Sequence, residues 1–399
     1  MLTLVLYPYV YLLARVAFLQ QSTAILEASR ALGCNPWQGF FRVALPIARP
    51  AITAGLALVL METLGDFGTV QHFGVDTFTT GIYRVWLALD ERQASMQMAA
   101  VLLLSVLWLI WLEQWSRGQA RYYQTSSRQQ ALSRYTLQGW RRLGAWIFCI
   151  IPIGLGFLLP IGLLGWMALT NLDGDRQFWY YGRNSLVLAL SAALLTVTIA
   201  LLVTYSIRLQ PQNLRLRLTA SLATIGYAVP GSVIAVGIMI PINSLNNKLD
   251  TIAQQTLGIS PGLLLSGVAA VLFAYVIRFL AVAENPLSSG WGRLKPNLDE
   301  VARSLGHSPW SILQRIHLPL ISSSVISALL LVFVDVMKEL PATLIIRPFN
   351  LDTLAVRTYQ LASDERLAEA SSAALAIVMV GLIPVLLLSW QVGQSRHQP

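Results

Sequence analysis

Six stretches of this chain, residues 93–112, 144–170, 184–207, 218–247, 251–277 and 370–395, carry no charged side chain. Each is close to or beyond the roughly 20 apolar residues that a helix needs to cross a bilayer. In lipid every backbone N–H and C=O must be bonded within the protein, which leaves helices or closed barrels. The gaps between these runs are too irregular for the roughly ten-residue alternation of a membrane barrel. Residues 1–14 read as part of a further span. Two weaker runs add to the count: 50–61, closed by Glu62, and 316–334, closed by Asp335. The expectation is an all-α polytopic bundle of about nine spans. Composition agrees, because only 12% of residues are charged and 55% are hydrophobic, against about 25% charge in soluble domains. That excludes a disordered chain, a collagen-like fibre and an ordinary cytosolic enzyme. Two cysteines, Cys34 and Cys149, exclude a disulfide scaffold and a four-cysteine metal site.

Charge between the runs sets the expected orientation. Residues 20–49, 117–142, 208–217, 284–318 and 391–399 hold 17 Arg and Lys and four acids, whereas the opposite segments hold nine and 14. The first set reads as cytoplasmic by the positive-inside bias. Segment 117–142 is decisive, with Arg117, Arg121, Arg128, Arg134, Arg141 and Arg142 and no acid. Topology accounts for this cluster, and for the net charge of +9, more simply than a nucleic-acid partner does. The C-terminus of this multi-pass chain is then expected inside.

The chain also repeats itself at an offset of 273. Glu27-Ala-Ser-Arg-Ala-Leu-Gly33 matches Glu300-Val-Ala-Arg-Ser-Leu-Gly306, Pro36-Trp37 matches Pro309-Trp310, and Leu45-Pro46 matches Leu318-Pro319. Further on, Glu62 and Asp66 match Asp335 and Glu339, and, after small insertions, Asp90-Glu91-Arg92 matches Asp364-Glu365-Arg366. The repeats have the same orientation, as parallel repeats about an axis along the membrane normal do. The second half shows six spans, 144–170, 184–207, 218–242, 262–283, 319–340 and 367–390, and the first shows only the last three. The reading is therefore three segments: residues 1–116 as the C-terminal part of a first repeat with its loop at 20–45, residues 117–143 as a basic linker, and residues 144–399 as a complete second repeat with its loop at 284–318. On this reading the first repeat lacks three helices, roughly 130 residues if the halves are alike. A natural nine-span design is the alternative.

Each repeated loop has the layout of a helix–turn–helix elbow. A helix bearing Glu27 or Glu300 stops at Gly33 or Gly306, where glycine takes the left-handed conformation. Asn35 or Ser308 caps a new helix, with Pro36 or Pro309 at its first position. That helix presents Trp37 and Phe40, or Trp310 and Leu313, before Pro46 or Pro319 opens the next span. Aromatic knobs on a stiff elbow suit docking into a partner groove, while a single copy would suit an interfacial helix equally well. Two copies at matched spacing favour docking on a two-fold partner.

These residues resemble the membrane permeases of bacterial ATP-binding-cassette importers. Their signature reads Glu-Ala-Ala, three residues, Gly, nine residues, a β-branched apolar residue, one residue, Leu-Pro. The chain carries it as Glu27-Ala28-Ser29, Gly33, Val43 and Leu45-Pro46, and again as Glu300-Val301-Ala302, Gly306, Ile316 and Leu318-Pro319. The resemblance implies two parallel MetI-like repeats, the first N-terminally truncated. It also implies that Glu27, Ala28, Gly33, Pro36, Trp37, Leu45 and Pro46, with Glu300, Ala302, Gly306, Pro309, Trp310, Leu318 and Pro319, couple to a cytoplasmic dimer of ATPase subunits. The chain has no Gly-Lys-Ser/Thr of a P-loop, since Lys248, Lys295 and Lys338 follow Asn, Leu and Met. It is thus expected to be no enzyme and to hold no cofactor, with ATP and magnesium bound by the partner. Within the superfamily the resemblance runs to the fused, two-loop permeases of ferric iron importers. It is carried by Met61-Glu-Thr-Leu-Gly-Asp-Phe-Gly-Thr69, Thr77-Phe-Thr-Thr-Gly-Ile-Tyr-Arg84, Asp335-Val-Met-Lys-Glu-Leu-Pro-Ala-Thr343 and Arg347-Pro-Phe-Asn350. The implied cargo is ferric iron from a periplasmic iron-binding protein. Thiamine permeases share the fused design and stay open as the alternative, as does a non-transporting membrane interaction protein.

The acids Glu62, Asp66, Asp335 and Glu339 sit in pairs at i, i+4, which places each pair on one helix face. Ionisable groups within spans usually face a cavity, and carboxylate oxygens suit a hard cation. A translocation pathway lined by these four is one reading. The other is structural, with Lys338 neutralising Glu339 or Asp335 and the acids capping span ends. No stable metal site is expected. His72, His307, His317 and His397 lack ligand spacing, and His307 and His317 are expected as surface contacts. Tyr7, Tyr9 and Tyr11 are expected as interfacial anchors. A secondary transporter or channel would bury charges in several spans, and the uncharged cores of 144–170, 184–207 and 218–247 speak against it.

Overall fold

A computed structural model of the chain describes residues 1–19, 21, 23–117, 136–170, 177–257, 267–295 and 297–395. Arg121, Arg128 and Arg134 of the basic linker, His397 and the start of the expected 262–283 span lie outside the described residues. Among the described residues there is no strand. In chain order, α1 (Leu2–Leu19) precedes the first elbow, formed by α2 (Thr23–Ala31), α3 (Pro36–Gly39) and a π-helical turn, Phe40–Ala44, that runs into α4 (Leu45–Gly65). Two short helices, α5 (Gly68–His72) and α6 (Phe78–Leu87), lead to α7 (Arg92–Arg117). α8 (Trp140–Ile153) and α9 (Leu159–Thr170) join through a second π turn at Gly154–Leu158, and α10 (Phe178–Leu209) follows. α11 (Leu214–Thr224) and α12 (Gly231–Leu257) flank a 3-10 turn, Ile225–Ala228. After α13 (Val268–Gly292) comes the second elbow: α14 (Asn297–Ser304), α15 (Pro309–Ile312), a third π turn at Leu313–His317 and α16 (Leu318–Leu320). α17 (Ser322–Met337), α18 (Pro341–Ile346), α19 (Leu354–Ser363) and α20 (Leu367–Ser395) complete the chain's described helices.

Among the described residues, seven helical runs are long and apolar enough to cross a membrane, or up to nine if two bent pairs each count as one span. The chain is therefore a multi-pass, all-α membrane protein. The bent pairs turn by 119° between Leu214–Ala228 and Gly231–Thr256, and by 78° between Pro309–Leu320 and Ser322–Met337. Pro230 stands in the first break and has no N–H with which to continue a helix.

Several expected spans change their bounds. The weak run 50–61 belongs to a longer helical run, Pro36–Gly65. The expected 319–340 span bends at Ile321 and ends at Met337. The expected 262–283 span is observed as Val268–Gly292, with Arg278 and Glu284 inside it. The structure tolerates Arg278 there because its Nε lies 3.1 Å from Glu339 Oε2, and its Nη1 donates to Val229 O at 3.3 Å. A paired cation can stand where an unpaired one could not.

All three π turns among the described residues end two residues before a Leu-Pro proline: Pro46, Pro160 and Pro319. In each, the leucine N–H bonds back five residues, to Phe40 O, Gly154 O or Leu313 O. A proline ring clashes with the carbonyl four residues earlier, and a wider turn relieves that clash. Proline alone does not suffice, since Pro8, Pro50, Pro152, Pro241, Pro286 and Pro384 stand inside helices without one.

The described chain forms two compact units, Met1–Gly65 with Val101–Leu163, and Asp66–Ala100 with Leu164–Pro399. These units cut across the sequence repeat. In the first, α1 packs along α4. Their backbones come so close at Gly55 that an added Cβ would lie 2.8 Å from Val10 Cα. In the second unit, α10, α13 and α17 pack mutually. Their buried faces use small residues, among them Ala189, Ala192, Ala193 and Ala200 on α10, Ala270, Ala274 and Ala283 on α13, and Ala328 on α17. Small side chains let membrane helices approach closely where lipid offers no hydrophobic drive for association.

Two glycine substitutions should have opposite signs. Gly55→Ala forces a methyl into the Val10 backbone and should cost about 1–3 kcal/mol. Gly162→Ala, in a helix with nothing within 4 Å of the new carbon, should gain up to about 1 kcal/mol from helix propensity. Thermal midpoints in detergent check both.

Candidate functional site

The two elbows are built alike from their local sequence. α2 is followed by Gly33, whose φ of 82° is left-handed, and α14 by Gly306 at 80°. Gly33 N donates to Arg30 O at 2.9 Å and Cys34 N to Ser29 O at 3.0 Å. Gly306 N donates to Arg303 O at 2.9 Å and His307 N to Ala302 O at 3.1 Å. This is the same six-to-one helix stop in both copies. Asn35 Oδ1 then accepts from Gln38 N at 2.8 Å, while Gln38 Oε1 accepts from Asn35 N at 3.1 Å. Ser308 Oγ accepts from Ser311 N at 3.4 Å. Pro36 and Pro309 take the first helical position, where a missing N–H costs nothing.

Side chains on each elbow divide into an exposed and a buried set. Glu27, Ala28, Glu300, Pro46 and Pro319 are exposed, Leu45 and Leu318 half-buried, and Ser29 and Ala302 buried against the elbow. Trp37 is 73% exposed and Trp310 57%. Trp37 stacks on Phe41 at 6.2 Å, with Phe40 edge-on to Phe41 at 5.1 Å. Leu313 does not join its tryptophan on the surface as expected. It opens the third π turn and points inward, 1% exposed, beside the equally buried Ile312.

His317 also corrects the sequence reading. It is 1% exposed rather than a surface contact. Its Nε2 lies 2.7 Å from Asp299 Oδ1. Arg208 Nε donates to Asp299 Oδ2 at 2.9 Å and Nη2 to Oδ1 at 3.2 Å. Burial by itself would raise the Asp299 carboxyl. The hydrogen bonds and charges of Arg208 and His317 outweigh it and hold the group below its ordinary value. His307, half-buried, has Nδ1 3.4 Å from Ser311 Oγ.

The four acids are not arranged as their spacing predicts. α4 ends at Gly65 and α17 at Met337, so Asp66 and Glu339 lie beyond the helices that carry Glu62 and Asp335. The members of each pair therefore share no helix face. Each of the two outer acids serves the short helix that follows. Asp66 Oδ2 accepts from Val70 N at 3.2 Å, and Glu339 Oε1 accepts from Ala342 N at 3.1 Å. Glu339 is 5% exposed and paired with Arg278, and Asp335 Oδ1 lies 2.9 Å from Lys338 Nζ. Glu62 is half-buried on α4. Among the described residues no group of three or more His, Cys, Asp or Glu could hold a metal ion.

Beside Asp66 the structure brings together residues that spacing did not single out. Phe67 is buried between Tyr83, 4.7 Å away between ring centroids, and Tyr359, at 5.3 Å. Leu340, Leu344 and Val356 complete this cluster. It joins α5–α6 of one repeat to α18–α19 of the other, and both α6 and α19 are N-capped by a threonine, Thr77 and Thr353. Phe67 and Tyr83 fall inside two of the four stretches that carried the family resemblance, which was the available signal. The left-handed residues after these helices are Asp90 and Glu365. The structural offset there is one residue larger than the pairing of Asp90 with Asp364.

Comparison with known proteins places these features in a family. The model of the binding-protein-dependent transport system inner membrane component matches residues 1–115 and 216–395. The Fe(3+)-transport system permease protein FbpB 2 of Haemophilus influenzae is 28% identical over 401 residues, covering 97% of this chain and 74% of its own length. The ferric transport system permease protein FbpB of Actinobacillus pleuropneumoniae is 24% identical over 94% of this chain, which spans only 55% of that protein. The crystal structure of a bacterial alginate ABC transporter, in complex with alginate pentasaccharide-bound periplasmic protein, aligns with a TM-score of 0.51. It covers 62% of this chain and 92% of its own at 18% identity, a likeness of fold alone.

Two substitutions separate the structural acid from the others. Glu339→Gln leaves Arg278 buried without a counter-charge and should cost about 3–5 kcal/mol, whereas Asp66→Asn, half-exposed, should cost less than about 1 kcal/mol. Denaturation in detergent reads both. Asp299 adds a pH dependence. Its folded pKa is depressed, so its stabilisation is present above the unfolded value of about 3.9 and is lost as pH falls through the folded value. The thermal midpoint should drop through that acid range, and Asp299→Asn should flatten the drop.

Proposed function

The chain belongs to the binding-protein-dependent transport system inner membrane components, and from that premise we propose that it translocates ferric iron delivered by a periplasmic binding protein. It is a permease component of an ABC importer, not an enzyme. The observation that carries the coupling role is the pair of elbows. Each has the same glycine stop, the same capped short helix with proline first, and an exposed tryptophan, Trp37 or Trp310. Such a knob on a backbone locked at both ends loses little entropy on docking. Two knobs suit an ATPase dimer on the cytoplasmic side of the inner membrane, with ATP and magnesium held by that dimer.

ATP binding would close the dimer and move the elbows, and the π turns would pass that movement into the adjoining helices. The iron assignment rests on relatives of modest identity, FbpB 2 and FbpB, whose names state ferric transport. The acids support it less than their count implied, because Glu339 is committed to Arg278 and Asp335 to Lys338.

The test is co-purification of the chain with its candidate ATPase, followed by hydrolysis assays with binding protein and either ferric iron or thiamine. Stimulation by the iron-loaded binding protein alone is expected. Stimulation by thiamine alone would reassign the cargo and leave the permease reading intact. Trp37→Ala and Trp310→Ala should each weaken ATPase binding about tenfold or more, as loss of an aromatic anchor does. Unchanged binding in both would remove the elbows as the docking sites.

A further inference from the structure

The two elbows share their local geometry but are joined to the rest of the chain differently. In the first, α3, the π turn and α4 form one helical run of 30 residues, Pro36–Gly65. A push on Trp37 travels along that helix axis. In the second, the run is broken by 78° after Leu320, at the buried Ile321. A bent joint does not carry an axial push, so the second elbow needs a lateral tie.

That tie is present. Tyr205 Oη donates to Pro309 O at 2.6 Å, which fixes the short docking helix to α10. Three residues on, Arg208 forms its two-bonded fork with Asp299 of α14. The same guanidinium donates to Trp291 O at 3.3 Å and Leu294 O at 3.4 Å, so the end of α13 is held as well. His317 sits 2.7 Å from Asp299 Oδ1, and its ring packs edge-on to Trp291 at 5.2 Å. Arg208 and Asp299 side chains are 12% and 13% exposed. A fork of this kind resists rotation as well as separation. At the first elbow, the positions 273 residues before Asp299 and His317 are Leu26 and Ala44, so the charged tie cannot form. There Gln21 Nε2 donates to Ala44 O at 2.7 Å and Phe18 stacks on Phe40 at 5.9 Å.

We propose that Arg208 and Asp299, steadied by His317 and Tyr205, are positioning residues that pass movement of the second elbow sideways into α10, so that the two elbows do unequal work. This rests on the elbows being ATPase docking sites. Loss of the tie then leaves docking and basal hydrolysis in place and uncouples them from transport. A merely structural role would lower all three together.

The experiment reconstitutes the full chain with its ATPase and binding protein in proteoliposomes and reads cargo taken up per ATP hydrolysed. The variants are Asp299→Asn, which keeps the side-chain shape, and Arg208→Lys, which keeps the charge but loses the fork. The comparator is Gln21→Ala. Uptake per ATP is expected to fall about tenfold in both tie variants, with ATPase binding and basal hydrolysis within about twofold of the parent, and to stay within about twofold in Gln21→Ala. Unchanged uptake per ATP in both tie variants overturns the proposal, and so does an equal loss in Gln21→Ala. Failure of both tie variants to fold, read by thermal midpoint, overturns it in favour of a structural role. If the unaltered chain does not bind the ATPase, the docking reading falls and takes this proposal with it.

Discussion

A guanidinium inside an apolar helix must find a counter-charge, and in this protein Arg278 of α13 finds Glu339. Much of the second compact unit depends on that pair. Glu339 also bonds the first turn of α18 through Ala342 N, and Arg278 also reaches Val229 O at the break between α11 and α12. One buried ion pair therefore ties a long span to two interruptions of the helical framework. Interruptions of this kind expose unbonded backbone groups, which lipid cannot satisfy. Here side-chain charge satisfies them from within. Tyr275, one turn before Arg278 on α13, bonds the Thr343 hydroxyl at 2.5 Å and extends the same polar seam.

The seam changes the meaning of the acids. Ionisable residues at the end of a weak span look like a cation path when only their spacing is known. Once Glu339 is seen to neutralise Arg278 and cap α18, Asp335 to face Lys338 and Asp66 to accept from Val70 N, three of the four have structural employment. The aromatic cluster around Phe67 stands beside it, where helices that follow the spans of both repeats meet.

The elbows show how equal motifs acquire unequal settings. Stops, caps and prolines are local devices, and they recur at the same spacing with the same bonds. What surrounds them is not repeated. Asp299 and His317 have no counterpart charges at Leu26 and Ala44, and a 78° break on one side replaces a continuous helix on the other. Repeats within one chain are free to diverge in this way because each position mutates independently, whereas two identical subunits would change together.

The amino-acid sequence determined by itself the class of the protein, its approximate number of spans, the two elbows and their capping residues. These follow from short-range rules: the length of apolar runs, glycine at a helix stop, Asn or Ser before proline. Span ends were less legible. The expected 262–283 span already held Arg278, and only the position of Glu339, 61 residues later, shows what neutralises that charge. The same holds for His317, whose burial depends on Asp299, Trp291 and Tyr205 from separate elements. Tertiary structure alone decided which charges pair, which way Leu313 turns and where the α16–α17 run bends. Each of those outcomes is set by partners distant in sequence, and a burial cost is cancelled only when the partner is in place.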